Sequence, residues 1–221
     1  MRKLLATAAI LGLVAAPGIA QAMLAYEIIT GVDATGANSG ALQANPTGFA
    51  AAQAAPHGPI INATSTNDTL NFNSGTANTL GTFFGSYQLT PPLTAAQQDI
   101  VMSNAANTNT TFMQITETNI NPTGLPITFT LTHDDGATIY SGGTLICGSP
   151  QPTNSVSVSC TIPAGTQSLT LYYEESFGSP AVLAANLPAE GPPAMPEPAS
   201  LALLGAALLG FGAMRRRCKT V

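Results

Sequence analysis

Ile127-Thr128-Phe129-Thr130-Leu131-Thr132-His133-Asp134-Asp135-Gly136-Ala137-Thr138-Ile139-Tyr140 is the stretch that decides the fold class. Ile127, Phe129 and Leu131 alternate with three threonines, the period-two pattern of a strand with one buried face. Two acids and a glycine interrupt it before a second strand begins. The alternation recurs downstream: Val156, Val158, Cys160 and Ile162 against Ser155, Ser157, Ser159 and Thr161, then Leu169, Leu171 and Tyr173, then Ala181–Leu187 as a closing strand. Proline and glycine punctuate the joins at Pro122, Gly124, Gly142-Gly143, Pro150, Pro163, Gly165 and Gly178. Short strands at this spacing predict an all-β chain, a single antiparallel β-sandwich.

Upstream the signal is weaker. Thr69–Phe72, Thr79–Leu89 and Thr111–Thr118 read as short apolar stretches between turn clusters, and Thr94–Met102 as a helix with Thr94 at its N-cap. Residues 23–56 are Ala, Gly, Asn, Gln and Thr without a sustained period and are expected to be irregular. The sandwich domain is therefore placed at 57–187. Residues 188–195 begin a proline-rich, semi-rigid linker.

Charge is distributed unevenly. The chain has 6 basic and 11 acidic residues in 221. All the basic residues lie at positions 2, 3, 215, 216, 217 and 219, and all the acids between them. The body from Met23 to Glu197 thus has no Lys or Arg and a formal charge of −11. That excludes phosphate-tracking nucleic-acid binding, which needs Lys and Arg to displace counterions. It also excludes Lys and Arg ion pairs as a folding device in the body.

The two ends read as targeting signals. Arg2-Lys3, an apolar run and Ala20-Gln21-Ala22 form a positive n-region, an h-region and an A-x-A site, so cleavage by signal peptidase after Ala22 is expected for a signal peptide at 1–22. At the other end Pro196-Glu197-Pro198 precedes the apolar run Leu201–Met214, expected as a short hydrophobic helix, and then Arg215-Arg216-Arg217. That run has 14 residues, fewer than the ~17–25 of an ordinary spanning helix. The flanking positive charges hold both ends in the cytoplasm and leave the acidic body outside.

Cys147 and Cys160 lie thirteen apart in the exported body. Period two puts Leu145 with Cys147 on one face and Val158 with Cys160 on one face. Antiparallel pairing of these two strands would bring the sulfurs together, and an oxidising compartment favours the bridge; the competing reading is two buried free thiols. Cys218 follows the arginine cluster and leaves with the tail.

Catalytic signatures are missing from the sequence. There is no Gly-x-Ser-x-Gly elbow, no His-Glu-x-x-His, no Cys-x-x-Cys and no phosphate-cradling or dinucleotide glycine loop. Only His57 and His133 are available to a nucleophile. A carboxylate pair for glycoside hydrolysis is a three-dimensional quantity and stays open. Asp134-Asp135 is the most suggestive constellation, because adjacent carboxylates with no Lys or Arg in the body repel unless a cation or solvent relieves them. Oxygen-rich sites of this kind suit Ca²⁺. The same residues also make a solvated Asp-Gly hairpin turn, which needs no metal.

The C-terminal Pro196-Glu197-Pro198, Leu201–Met214 and Arg215–Arg217 resemble the PEP-CTERM sorting signal of Gram-negative bacteria, over residues 196–219. The resemblance implies recognition and processing by an exosortase, and a setting in cells that make exopolysaccharide. Residues Phe129–Tyr140, then Leu169–Glu175, then Gly178–Leu183 resemble the protective-antigen and flocculin type of β-sandwich. That resemblance implies Ca²⁺ on Asp134 and Asp135 that helps hold a sugar. Ser141-Gly142-Gly143 stands where those domains carry a further aspartate. Together the signals predict an exported, non-catalytic surface or matrix protein that binds exopolysaccharide or glycan. It would be anchored transiently or permanently by its tail. The alternatives are a purely structural matrix component and a carboxylate-dependent hydrolase.

Overall fold

The threonine-alternating stretch forms strand β5 (Ile127–Asp134), whose Phe129, Leu131 and His133 point inward while Thr128, Thr130 and Thr132 point out. The computed structural model describes residues 23–118, 120 and 124–188. Ala20, Ala22, nearly all of the proline-rich linker, Pro196, Glu197, Pro198, the Leu201–Met214 run and Arg215–Arg217 lie outside the described residues.

Two antiparallel sheets face each other, as the alternation predicts. The larger contains β1 (Leu24–Val32), β2 (Ile60–Ser65), β4 (Thr110–Thr118), β6 (Gly136–Ser141), β7 (Thr144–Ser149) and β9 (Ser168–Glu175), in the order β2-β1-β4-β9-β6-β7. The smaller contains β3 (Thr69–Asn73), β5, β8 (Val156–Ile162) and β10 (Val182–Asn186), in the order β3-β10-β5-β8. Leu24, Tyr26, Ile28, Met113, Ile115, Leu171 and Tyr173 of the larger sheet meet Phe72, Leu131, Ile162 and Leu183 of the smaller one in the main core. Burying side chains of this size stabilises by about 1.5–3 kcal/mol each.

Four expectations are corrected. The segment 23–56 is not irregular: it opens with β1, an interior strand paired to β2 and β4. It continues into a 3-10 turn (Gly36–Leu42) and helix α1 (Pro46–Ala54). Asn45 caps α1 by accepting from the Gly48 N–H at 2.8 Å, and Pro46 occupies the first turn, where its missing N–H costs nothing. This segment covers the outer face of the larger sheet. There Phe49, Ala52, Val32, Phe112 and Tyr172 form a second apolar cluster. The sandwich therefore begins at Leu24.

Thr79–Leu89 is not a strand but contains helix α2 (Leu80–Phe84). Thr79 and Thr82 form a capping box, and Leu80, Phe83 and Phe84 at helical spacing are buried, with Phe83 and Phe84 packed on Phe72 at 5.1 and 4.9 Å. The helix expected over Thr94–Met102 shrinks to one turn, α3 (Ala95–Gln98), with Thr94 at its N-cap.

The fourth correction concerns the disulfide. Cys147 and Cys160 are bonded, with Cα atoms 5.3 Å apart. Their strands do not pair with each other: β7 pairs with β6 and β8 with β5. The bridge thus staples the edge strand of one sheet to the edge strand of the other. Closing a loop of this size contributes about 3 kcal/mol in the chain-entropy model. Replacing both cysteines by serine is expected to lower the unfolding free energy by about that amount. Urea titration followed by circular dichroism measures it, and an unchanged midpoint would show that the bridge does not matter to the sandwich.

Candidate functional site

Asp134 and Asp135 do not form a hairpin turn. β5 belongs to the smaller sheet and β6 to the larger, so Asp134-Asp135-Gly136 is a corner at which the chain crosses the sandwich. The Asp134–Asp135 peptide is cis. A second crossing lies beside it, where β9 ends at Glu175 and the loop 176–181 leads into β10. Asp135 joins the two corners. Its Oδ2 accepts from the Ser176 N–H at 2.9 Å, the Phe177 N–H at 3.0 Å and the Ser176 hydroxyl at 3.1 Å. Only 6% of Asp135 is exposed. The reading as a solvated turn fails for this residue.

Gly136 fits tightly into the same packing. A Cβ there would stand 3.0 Å from the Pro150 carbonyl oxygen and 3.1 Å from Glu174 Oε1. Asp134 sits on the outer face of the smaller sheet, in the row of Thr128, Thr130 and Thr132, and is half-buried. Burial and the neighbouring Asp135 charge raise its carboxyl above the usual range, against a hydrogen bond from the Ser155 backbone.

Behind these aspartates lies a buried polar network. His133 is fully buried, with Nδ1 2.6 Å from the Asp135 carbonyl oxygen. That acceptor requires Nδ1 to carry the ring proton. Burial lowers the His133 pKa, so the ring is held neutral.

Glu174 and Glu175, adjacent acids at the end of β9, are both completely buried. Adjacent positions on a strand point to opposite faces. Glu175 enters the main core side and Glu174 lies under the covering layer of 33–56, near Ala44. Ser103 donates to Glu175 Oε1 at 2.7 Å while its own oxygen accepts from Asn78 Nδ2 and the Gly178 N–H. The Tyr173 hydroxyl lies 2.5 Å from the Asp134 carbonyl oxygen and 3.1 Å from Glu175 Oε2. A hydroxyl has one proton, and a carbonyl can only accept. With Tyr173 donating to Asp134, the second contact is satisfied when Glu175 itself carries a proton. Burial, then the Asp135 charge, push the Glu175 carboxyl up to about 8. The same two causes hold Glu174 well above the carboxylate range, moderated by Ser176 and the Gly136 amide.

Tyr172 and Tyr173 are both buried, and Tyr140 is half-buried against Tyr172 at 5.7 Å, so none of the three offers a free ring face. The exposed ring at this end is Phe177, 51% accessible, whose backbone N–H is fixed by Asp135. Sequence reasoning missed it, because a lone Phe in Ser176-Phe177-Gly178 has no periodic partner. Among the described residues no three His, Cys, Asp or Glu side chains converge on one metal position. An ion at Asp134 and Asp135 would therefore take further oxygens from main-chain carbonyls, water or ligand hydroxyls.

The pH dependence has a definite sign. Between its ordinary 4.5 and about 8, Glu175 holds a proton in the folded chain that the unfolded chain releases. Folding stability, measured in EDTA, is expected to fall as pH rises through that window. Glu175→Gln keeps a neutral group there and should flatten the slope. A slope of the opposite sign would contradict the protonated network.

Residues 196–217 match the PEP-CTERM protein-sorting motif, which indicates an exported protein with a C-terminal sorting signal and implies exosortase processing. No curated protein matches the chain by sequence. Among solved structures, the PA14 sugar-binding domain from an RTX adhesin is similar at 16% identity and a TM-score of 0.50, covering 75% of this chain and 88% of that one. The PA14 domain of the MpAFP antifreeze protein aligns at 18% identity and TM-score 0.49, over 73% of this chain and 79% of that one. A GH31 alpha-xylosidase from Xanthomonas citri aligns at 10% identity and TM-score 0.38, over 75% of this chain and 15% of that one. The body thus has a PA14-like β-sandwich fold, and the chain ends in a PEP-CTERM sorting motif.

Proposed function

We propose that this protein is a non-catalytic glycan-binding module of the cell surface or matrix, in which Asp134 and Asp135 hold a Ca²⁺ that engages hydroxyls of an exopolysaccharide. The observation that carries the reading is Phe177. It is the exposed aromatic residue of the loop that Asp135 ties to this corner, its backbone N–H donating to Asp135 Oδ2 at 3.0 Å. A sugar offers hydroxyls to an oxygen-bound cation and an apolar face to an aromatic ring, and this corner offers both. Hard oxygen donors suit Ca²⁺, and a cation relieves the repulsion that raises the Asp134 pKa. The similar PA14 domain of the RTX adhesin is described as sugar-binding. Burial of Glu174 and Glu175 on opposite faces of their sheet weighs against their acting as a hydrolytic pair across a cleft.

Ca²⁺ at a hundredfold over its Kd is expected to stabilise the protein by about 2.7 kcal/mol. The gain should be larger at pH 8 than at pH 5, because protons compete for the same carboxylates. Identical melting in Ca²⁺ and EDTA would sink the ion site. Asp134→Asn, at a half-buried position, should remove the Ca²⁺ response while leaving the EDTA melting curve nearly unchanged. Phe177→Ala should weaken glycan binding by up to about tenfold, the scale of one aromatic contact. Isothermal titration with the polysaccharide of the producing cell measures it.

A further inference from the structure

A cleft of about 440 Å³ runs beside β3, on the side where α2 and the turn at Gly85–Tyr87 pack against the smaller sheet. This is within the range of saccharide-sized and larger small-molecule sites. One wall is a polar row from edge strand β3 and the turn before it: Asn67, Asn71 and Asn73, all exposed. The other wall contains Ser86 and the rings of Phe84 and Tyr87. We infer that this cleft is a second saccharide site, selective for neutral glycans and independent of any cation at Asp134.

The chemistry of the walls selects the ligand class. The Asn67 side-chain oxygen accepts from the Thr69 N–H at 3.0 Å, and the Asn73 oxygen accepts from the Gly75 N–H at 2.8 Å. Both carboxamides are thereby oriented with their NH₂ groups left as donors to a ligand oxygen. Asn71 lies between them on the same face of β3.

Tyr87 is held in place before any ligand arrives. Its hydroxyl donates to the Asn67 carbonyl and lies 2.7 Å from the Tyr26 hydroxyl, and its ring packs edge-on against Phe72 at 4.8 Å. A fixed aromatic surface beside fixed amide donors binds with little ordering cost. The floor offers no cation, and the body from Met23 to Glu197 contains no Lys or Arg at all. The lining carries no charged side chain, so a uronate or sulfated sugar would find no counterion there and would approach a net-acidic body, which favours a neutral glycan as the occupant.

Placement extends the inference from a single sugar to a chain. Asn73 pairs across β10 with Val182, which pairs with Asp134. Two strand spacings put these positions about 10 Å apart, on the same outer face. A second depression of about 200 Å³ shares Phe84, Gly85 and Tyr87 and continues past Gln88. A polysaccharide strand has room to continue from the cleft into this depression.

The test uses the exported protein in EDTA, with dextran, mannan and cellohexaose as neutral probes and polygalacturonate as the anionic one. At least one neutral probe should shift the side-chain amide NMR signals of Asn71 and Asn73, while polygalacturonate does not. The double variant Asn71→Ala, Asn73→Ala should weaken that binding at least tenfold. Ser86→Arg, at another exposed position, should do the same by filling the cleft. Binding at normal strength by either variant, equal binding of polygalacturonate, or no shift with any neutral probe would overturn the site. Loss of binding in EDTA with recovery in Ca²⁺ would also overturn it, assigning all recognition to Asp134 and Asp135. Failure of the Ca²⁺ response alone leaves the cleft standing.

Discussion

A body with acids and no Lys or Arg has no basic side chain of that kind to pair with a buried carboxylate, and that constraint shapes the end of this sandwich where its two corners meet. Three devices are used. Asp135 receives two backbone N–H groups and a hydroxyl. Glu175 receives a serine hydroxyl and retains a proton of its own. Asp134 is left half-exposed to solvent and has a hydrogen bond from the Ser155 backbone. Partner removal inside such a network costs more than the bond itself is worth, because a desolvated group is left unpaired. The loops carrying Asn78, Ser103, Asp135 and Ser176 are therefore tied to one another through polar contacts as much as through apolar packing.

The position of this network follows from topology. Two sheet-crossing corners, 134–136 and 176–181, meet at the same end, and Asp135 links them. A corner of this kind directs Asp134 outward and Asp135 inward, so adjacent residues of one type acquire different tasks. The disulfide serves the edge beyond β5 in a related way, holding together two edge strands that share no backbone hydrogen bonds.

Sequence patterning revealed the second half of the domain well. Strands β5 and β8 have clean alternation because one face of each is buried and the other carries Ser or Thr, and the inward row Leu169, Leu171 and Tyr173 marks β9 although its other face is also covered. β1 does alternate, at Leu24, Tyr26 and Ile28, but the Ala- and Gly-rich stretch after it diluted the signal over 23–56. The outer layer was invisible for a related reason: α1 is short, with four alanines among its nine residues, and its burial depends on a sheet that period-two reasoning assumes to be bare. α2 was hidden because Leu80, Phe83 and Phe84 fit a buried strand as readily as one helical turn. At the site, Asp134 and Asp135 stood out as carboxylates without counterions. Their role as a sheet-crossing corner did not, since which strands pair is a long-range property. Phe177 and the carboxamide row facing Tyr87 could be found only once the chain had been folded.

The order of elements near the C-terminus has a mechanical consequence. The loop 176–181, which presents Phe177, leads into β10, and the sorting tail follows after a short run of residues. β10 is flanked on both sides, by β3 and β5. Tension between a ligand gripped at that loop and an attachment point in the tail would run along this one strand. It would load two rows of hydrogen bonds in shear together rather than peel them one at a time. A tether built this way resists pulling along its own axis, while the remaining strands carry little of the load.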